Sequence, residues 1–120
     1  LKKYPTGECV VTEDRAGAKA NWVHRPVETI MFTDSAFAAS AIIEYSFAEP
    51  RFHPQFPTFR ADPSIHFRHR KQANVAWCDG HVDRRIRTLS WSSGLYPSDP
   101  ERFNIGWFGR ADDNRLFDLN

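Results

Sequence analysis

Three histidines and a few carboxylates supply most of the side chains with which this sequence could do chemistry. His66, His69 and His81, with Asp79 or Asp34, offer imidazole nitrogens and carboxylate oxygens of the kind zinc accepts. Their spacing fits no short metal motif, since there is neither a Cys-x-x-Cys nor a His-Glu-x-x-His. His69 has an architectural use that the sequence favours over a metal site. It can hydrogen-bond the Asp79 carboxylate or a turn carbonyl and so lock the segment before the next strand in place. An Asp–His couple also suits proton transfer, but it needs a nucleophile. No Gly-x-Ser-x-Gly is present, and Cys78 lacks the surroundings that mark a low-pKa thiol, so no enzyme is expected. Asp112, Asp113 and Asn114 offer oxygens to calcium without the spaced donors and distal Glu of an EF-hand. Their plainer use is a polar turn. No cofactor is expected, calcium being the one candidate.

Positioning these groups falls to the stretch HRKQANVAWCDGHVDRRI, residues 69–86. Asp79-Gly80 between two alternating runs predicts a β-hairpin with a two-residue type I′ turn, because that turn needs residues that tolerate φ > 0. Cys78 then faces His81, Trp77 faces Val82, Val75 faces Arg84 and Ala73 faces Ile86. Side chains alternate along a strand, so Ala73, Val75, Trp77, Val82, Arg84 and Ile86 are expected on one, apolar face. Asn74, Ala76, Cys78, His81, Asp83 and Arg85 are expected on the other.

The block RHRKQANVAWCDGHV, with nine residues between His69 and Asp79-Gly80, resembles the prepilin-type processing-associated domain of bacteria, which is named for that spacing. Glu28-Thr-Ile-Met-Phe-Thr-Asp34 is similar to the family's short strand ending in Asp. Asn104-Ile-Gly-Trp-Phe-Gly109, followed by Asp112-Asp-Asn114, resembles the tail of some members. The resemblance covers roughly the last three quarters of the chain and makes His69, Asn74, Asp79, Gly80 and His81 a structural motif. It implies an α+β fold with a pilin-like antiparallel sheet, the hairpin at 73–86, long ordered loops and little helix. It also implies a subunit of a type IV pilus-like or type II secretion pseudopilus-like filament of identical copies, extracellular, on the cell surface or periplasmic. Such proteins begin with a leader and a long apolar helix, whereas this sequence begins Leu1-Lys2-Lys3-Tyr4, so membrane contact is expected only through a helix not present here. Major pseudopilins carry an acidic C-terminal loop, which is where the calcium candidate at Asp112 and Asp113 gains its interest. In an exported domain a Cys9–Cys78 bridge would close a loop of about 70 residues and contribute roughly 4 kcal/mol. Two free thiols are the alternative.

The 120 residues fit one domain, with a net charge of +1 that creates no field calling for nucleic acid or an anionic membrane. Ten Phe and four Trp predict an aromatic core, and eight Pro point to strands and loops over long helices. Residues 1–20 read as an irregular arm with a short strand near 8–12, and 27–33 as a strand entering the core. Asp34-Ser35 can cap a short helix over 36–40; alternatively Asp34 ends the strand and 41–47 forms the next. Residues 49–63 hold four prolines and read as a long ordered loop in which neither helix nor central strand is expected. Phe52, Phe56 and Phe59 are placed to pin that loop to the body or, with Trp107 and Phe108, to make assembly contacts. Residues 98–101 resemble a helical first turn and 103–108 a last strand or aromatic plug. The tail at 110–120 is expected to dock through Leu116, Phe117 and Leu119. The basic run at 66–71 could touch phosphates, but a solvated strand entry is the simpler use. A secreted carbohydrate-binding module stacking sugars on Trp22, Trp91 or Trp107 is the second reading of function.

Overall fold

The structure, a computed structural model, describes residues 2–3, 9–10, 23–53 and 55–117. In chain order the strands are β1 (Lys2–Lys3), β2 (Cys9–Val10), β3 (Ile30–Thr33), β4 (Ala36–Ala38), β5 (Ile42–Glu44), β6 (Phe52–His53), β7 (Phe56–Arg60), β8 (Ile65–His66), β9 (Gln72–Trp77), β10 (Val82–Ile86) and β11 (Ile105–Gly106). The central sheet runs β10-β9-β3, and the other strands form two-stranded antiparallel pairs: β1-β2, β4-β5, β6-β7 and β8-β11. Among the described residues the helical backbone is confined to two single 3₁₀ turns, Pro26–Glu28 and Pro100–Phe103. The fold is therefore small and β-rich, with the little helix expected, and among the described residues that helix is limited to these two turns. The helix considered at 36–40 is strand β4. Its capping oxygen is taken, since Asp34 Oδ2 accepts the Asn74 N–H at 2.9 Å. The helical turn expected at 98–101 does form, with Asp99 Oδ1 accepting the Glu101 N–H at its start.

The hairpin is present, but its register is one residue away from the expected one. Val82 pairs with Ala76, Asp83 with Val75, Arg84 with Asn74, Arg85 with Ala73 and Ile86 with Gln72. Trp77 faces His81, its N–H donating to the His81 carbonyl at 2.9 Å. The loop thus has three residues, Cys78-Asp79-Gly80. The Gly80 N–H donates back to the Trp77 carbonyl, and only Gly80, at φ +93°, sits in the left-handed region. This is a β-turn closed by a glycine bulge rather than a type I′ turn, which would require positive φ at Asp79 as well. A neighbouring turn shapes it: the Cys78 and Asp79 N–H groups donate to the carbonyls of Thr29 and Pro26. A one-residue slip inverts every side chain of one strand. Ala73, Val75 and Trp77 are buried as expected, whereas Val82, Arg84 and Ile86 face out, and His81, Asp83 and Arg85 lie on the Trp77 side.

The core gathers Ile65, Phe67, Ala73, Val75, Trp77, Trp107 and Phe108, with Ile30, Ala48, Leu89, Leu116 and Phe117 against it. The aromatic core and the docked tail agree with the sequence, although Leu119 lies outside the described residues. Trp107 and Phe108 are fully inside, so they cannot be the surface contacts considered for them. Gly106 is required by close approach. A Cβ there would lie 2.2 Å from the Leu89 carbonyl oxygen, where β11 runs against residues 87–89.

Residues 49–63 are not a loop throughout, for β6 and β7 form an irregular ribbon within them. Pro57 is tolerated because β7 pairs on one side only. Phe56 and Phe59 stand about half exposed and lie beside His53 of the same ribbon, so they are not shown pinning it to the body. The ribbon is held by polar groups instead: Arg51 reaches the Phe108 and Gly109 carbonyls, and Asn114 exchanges two hydrogen bonds with the Phe52 backbone.

A second tight turn precedes β9. His69 and Gln72 exchange backbone hydrogen bonds of 3.0 Å, leaving Arg70 and Lys71 as a two-residue turn with φ of +53° and +64°. Asn-Gly is the pair suited to such a turn. The left-handed conformation disfavours Arg and Lys by about 1–2 kcal/mol each.

Candidate functional site

The hairpin end collects the chemistry-bearing side chains, in an arrangement that starts from Trp77. Trp77 is buried from the β9 side, and the inverted β10 lays polar groups over its ring. The His81 imidazole stacks on it, with centroids 5.6 Å apart and planes 7° from parallel. The Arg85 guanidinium lies 5.0 Å from the ring centre, within cation–π range. Asp83 Oδ1 accepts the indole N–H at 2.9 Å, so the one polar atom of a buried tryptophan is satisfied. His81 Nδ1 also contacts the Asp79 carboxylate, which accepts the His81 backbone N–H as well. That hydrogen bonding holds the Asp79 carboxyl below its ordinary pKa. Partial burial pushes Asp83 up, but hydrogen bonds from Arg85 and Trp77 outweigh it and leave that carboxyl low. The Asp–His couple at this turn is therefore made by Asp79 with His81 and not with His69. Carboxylates flank it on both sides, and no described hydroxyl or thiol hydrogen-bonds to it. It can orient a ring, and among the described residues it touches no nucleophile.

His69 does not reach Asp79, the partner considered for it in sequence. Its Nε2 lies 3.2 Å from Asp34 Oδ2, the oxygen that also holds the Asn74 amide, while Thr33 Oγ1 donates to the Asn74 carbonyl. The clasp is real, but it ties the segment before β9 to the end of β3 rather than to the turn. Two elements of the motif, His69 and Asn74, thus converge on an aspartate 35 and 40 positions earlier in the chain, whose role no local spacing could reveal (69 − 34 and 74 − 34).

His66 stands apart from both groups. Its Nδ1 is buried with no hydrogen-bond partner among the described residues. Burial, helped by the Arg68 charge, lowers its pKa below 6.5, against the opposing pull of the Phe103 carbonyl and of Glu44 and Asp34. The folded chain then binds this proton less readily than the unfolded chain does. Stability is therefore expected to fall as pH drops from about 6.5 through the lower folded value. His66→Gln should flatten that part of a plot of thermal midpoint against pH. A separate acid loss, below the ordinary carboxylate value of 3.8, should remain, because Asp79, Asp83, Asp112 and Asp113 are all held low. An unchanged slope in His66→Gln would remove His66 as the cause.

Among the described residues no group of three His, Cys, Asp or Glu side chains is placed to hold a metal ion. His66, His69 and His81 go to different partners. Asp112 gives its oxygens to Arg51 and Arg60, which hold its pKa low, and Asp113 is chelated by Arg115. A calcium ion would have to displace these guanidinium groups. Cys78 is a free thiol, and the side chain of its considered partner Cys9 lies outside the described residues. Of the tryptophans considered as sugar platforms, Trp107 is buried, Trp91 is about one-third exposed and Trp22 lies outside the described residues.

Sequence reading missed two surfaces. The open face of the central sheet carries Phe32, Ala76 and Val82 in one row, with Ile86 beyond; Phe32, Val82 and Ile86 are 71%, 66% and 62% exposed. Phe32, Ala76 and Val82 border a shallow groove of about 280 Å³ that Asp34 and Asn74 also line. The second surface is an aromatic cluster around Phe37, whose ring lies 5.1 Å from Tyr45 and 4.9 Å from Tyr96, with Phe47 against Tyr45. Alternation along 82–86 flags the first once the register is known; the second joins residues about 50 positions apart and leaves no local signal. No family model, curated protein or solved structure matches the chain.

Proposed function

We propose that this chain is a structural subunit of a bacterial filament of the pilus or pseudopilus kind, exported and built from identical copies through non-covalent head-to-tail contacts. The observation that carries the reading is a pair of unlike apolar surfaces on different sheets. Phe56 and Phe59 stand half exposed on β7, while Phe32, Val82 and Ile86 form the open face of the central sheet. A contact between unlike patches does not close on itself unless the rotation happens to form a ring, so one subunit type suffices for a helical polymer. The uses found for these residues, His69 and Asn74 tied to Asp34 and Asp79 holding His81 within the turn, support architecture over catalysis. So does the family resemblance of the block that holds them.

The test is assembly. Phe56→Ala with Phe59→Ala should leave the monomer folded, each change costing about 1 kcal/mol because the rings are about half exposed. The same variant should abolish filaments in negative-stain microscopy and shift sedimentation to the monomer. Unchanged filaments would remove the proposal.

A second reading has its own observation. The cluster of Phe37, Tyr45, Phe47 and Tyr96 leaves Phe47 and Tyr96 open to solvent, an arrangement suited to stacking a sugar ring in a secreted binding module. Glycan binding by the isolated chain without concentration-dependent assembly, lost in Tyr96→Ala, would favour it.

A further inference from the structure

From the turn at 69–72 we infer a binding site for a small organic oxyanion, meaning a carboxylate, sulfate or phosphate group on a compact body. The inference is independent of the filament reading. Lys71, Arg87 and Asn104 surround a half-open cavity of about 190 Å³ whose apolar walls are Phe67 and Ile86. Two cations and an amide face it, and no carboxylate lines it. Arg87 is set in place before any ligand arrives. The Arg87 stem lies along Gly106, where even a Cβ would come within 2.8 Å of its Cδ, and one guanidinium nitrogen donates to the Glu101 carbonyl at 3.0 Å. The remaining N–H donors of Arg87 are left for a ligand. The Lys71 backbone sits at φ +64°, and among the described residues its exposed side chain has no ion-pair or hydrogen-bond partner.

Lys71 is the informative residue. Folding alone would favour glycine at its position, since a two-residue turn with both φ values positive is suited to Asn-Gly. A basic side chain kept in a disfavoured backbone conformation, beside a second cation and a cavity, is the kind of strain that marks a ligand clamp. Asn104 is also left-handed, at φ +57°, but it caps the turn Pro100–Phe103 and needs no further reason. The volume exceeds that of a bare ion, and Ile86 and Phe67 offer an apolar wall to whatever carries the charge.

The experiment is a titration of the full chain followed by amide chemical shifts, using inorganic sulfate, inorganic phosphate and glucuronate as separate probes. The expected result is one saturable site, with shifts confined to 67–72, 86–88 and 104–106, and glucuronate separating an organic carboxylate from the bare ions. Lys71→Gly should lower affinity about tenfold while raising the thermal midpoint, so weaker binding cannot be blamed on misfolding. Arg87→Met keeps the stem over Gly106 and should lower affinity similarly. Shifts spread over all arginines, no saturation at millimolar probe, or unchanged affinity in both variants would each overturn the site.

Discussion

Replacing Arg51 with alanine is expected to cost about 3 kcal/mol, read as a lower urea midpoint at unchanged slope. The side chain is only 3% exposed, yet it sits next to a segment that the sequence presents as a surface loop. One guanidinium nitrogen donates to the Phe108 carbonyl at 2.8 Å and the Gly109 carbonyl at 3.2 Å, and the other reaches Asp112 at 3.2 Å. The energy resides in the carbonyls. They belong to the segment that carries the core residues Trp107 and Phe108; alanine leaves the buried Phe108 carbonyl unpaired, at about 1–3 kcal/mol, while the Gly109 carbonyl keeps the Thr88 hydroxyl. The ion pair contributes less, because Asp112 is 48% exposed and keeps Arg60 as a partner. Asp112→Asn should therefore cost less than about 1 kcal/mol, and Arg51→Met, which fills the volume without the donors, nearly as much as alanine. If Asp112→Asn matched Arg51→Ala, the stabilisation would reside in the charge pair and not in the carbonyls.

Nothing near position 51 announces that role, and the reason separates what the sequence reveals from what it hides. Ala73, Val75 and Trp77 are legible because a strand alternates with period two and one face is buried. The docked tail and the 3₁₀ turn at 100–103 are legible because their signals are local: Leu116 and Phe117 in a polar stretch, and Asp99 ahead of Pro100. Register is different. Asp79-Gly80 fits a two-residue turn and a three-residue loop equally well, and the choice is made by the Thr29 and Pro26 carbonyls, which lie about 50 residues away in the chain. The clasp of His69 on Asp34 and the hold of Arg51 on residues 108–112 are also long-range pairings of single polar atoms, which no periodicity encodes. The ribbon at 52–60 was hidden by its prolines. They argue against a central strand, and β7 is not one.

The largest single loss is expected at Trp77, and its neighbours turn it into a measurement of register. Trp77→Ala should cost about 4 kcal/mol, because it empties the centre of the core and strips the ring from between Phe108, His81 and Arg85. It also takes the indole donor from Asp83 Oδ1, leaving that carboxylate to Arg85. Asp83→Ala attacks the same pair from the other strand and should cost about 1–2 kcal/mol by leaving that N–H unpaired. Val82→Thr and Ile86→Thr should each stay within about 0.5 kcal/mol, since both side chains face water and threonine keeps the β-branch that suits a strand. With a two-residue turn the pattern reverses. Val82 and Ile86 would join Trp77 in the core, and burying a threonine hydroxyl in their place would cost about 1–3 kcal/mol. Asp83 would point to solvent and tolerate alanine. The order of losses, Asp83 above Val82 or Val82 above Asp83, thus reads the loop length directly from thermal melts. It also decides whether Phe32, Val82 and Ile86 are available as an open face for a second copy of the chain, which the assembly proposal requires.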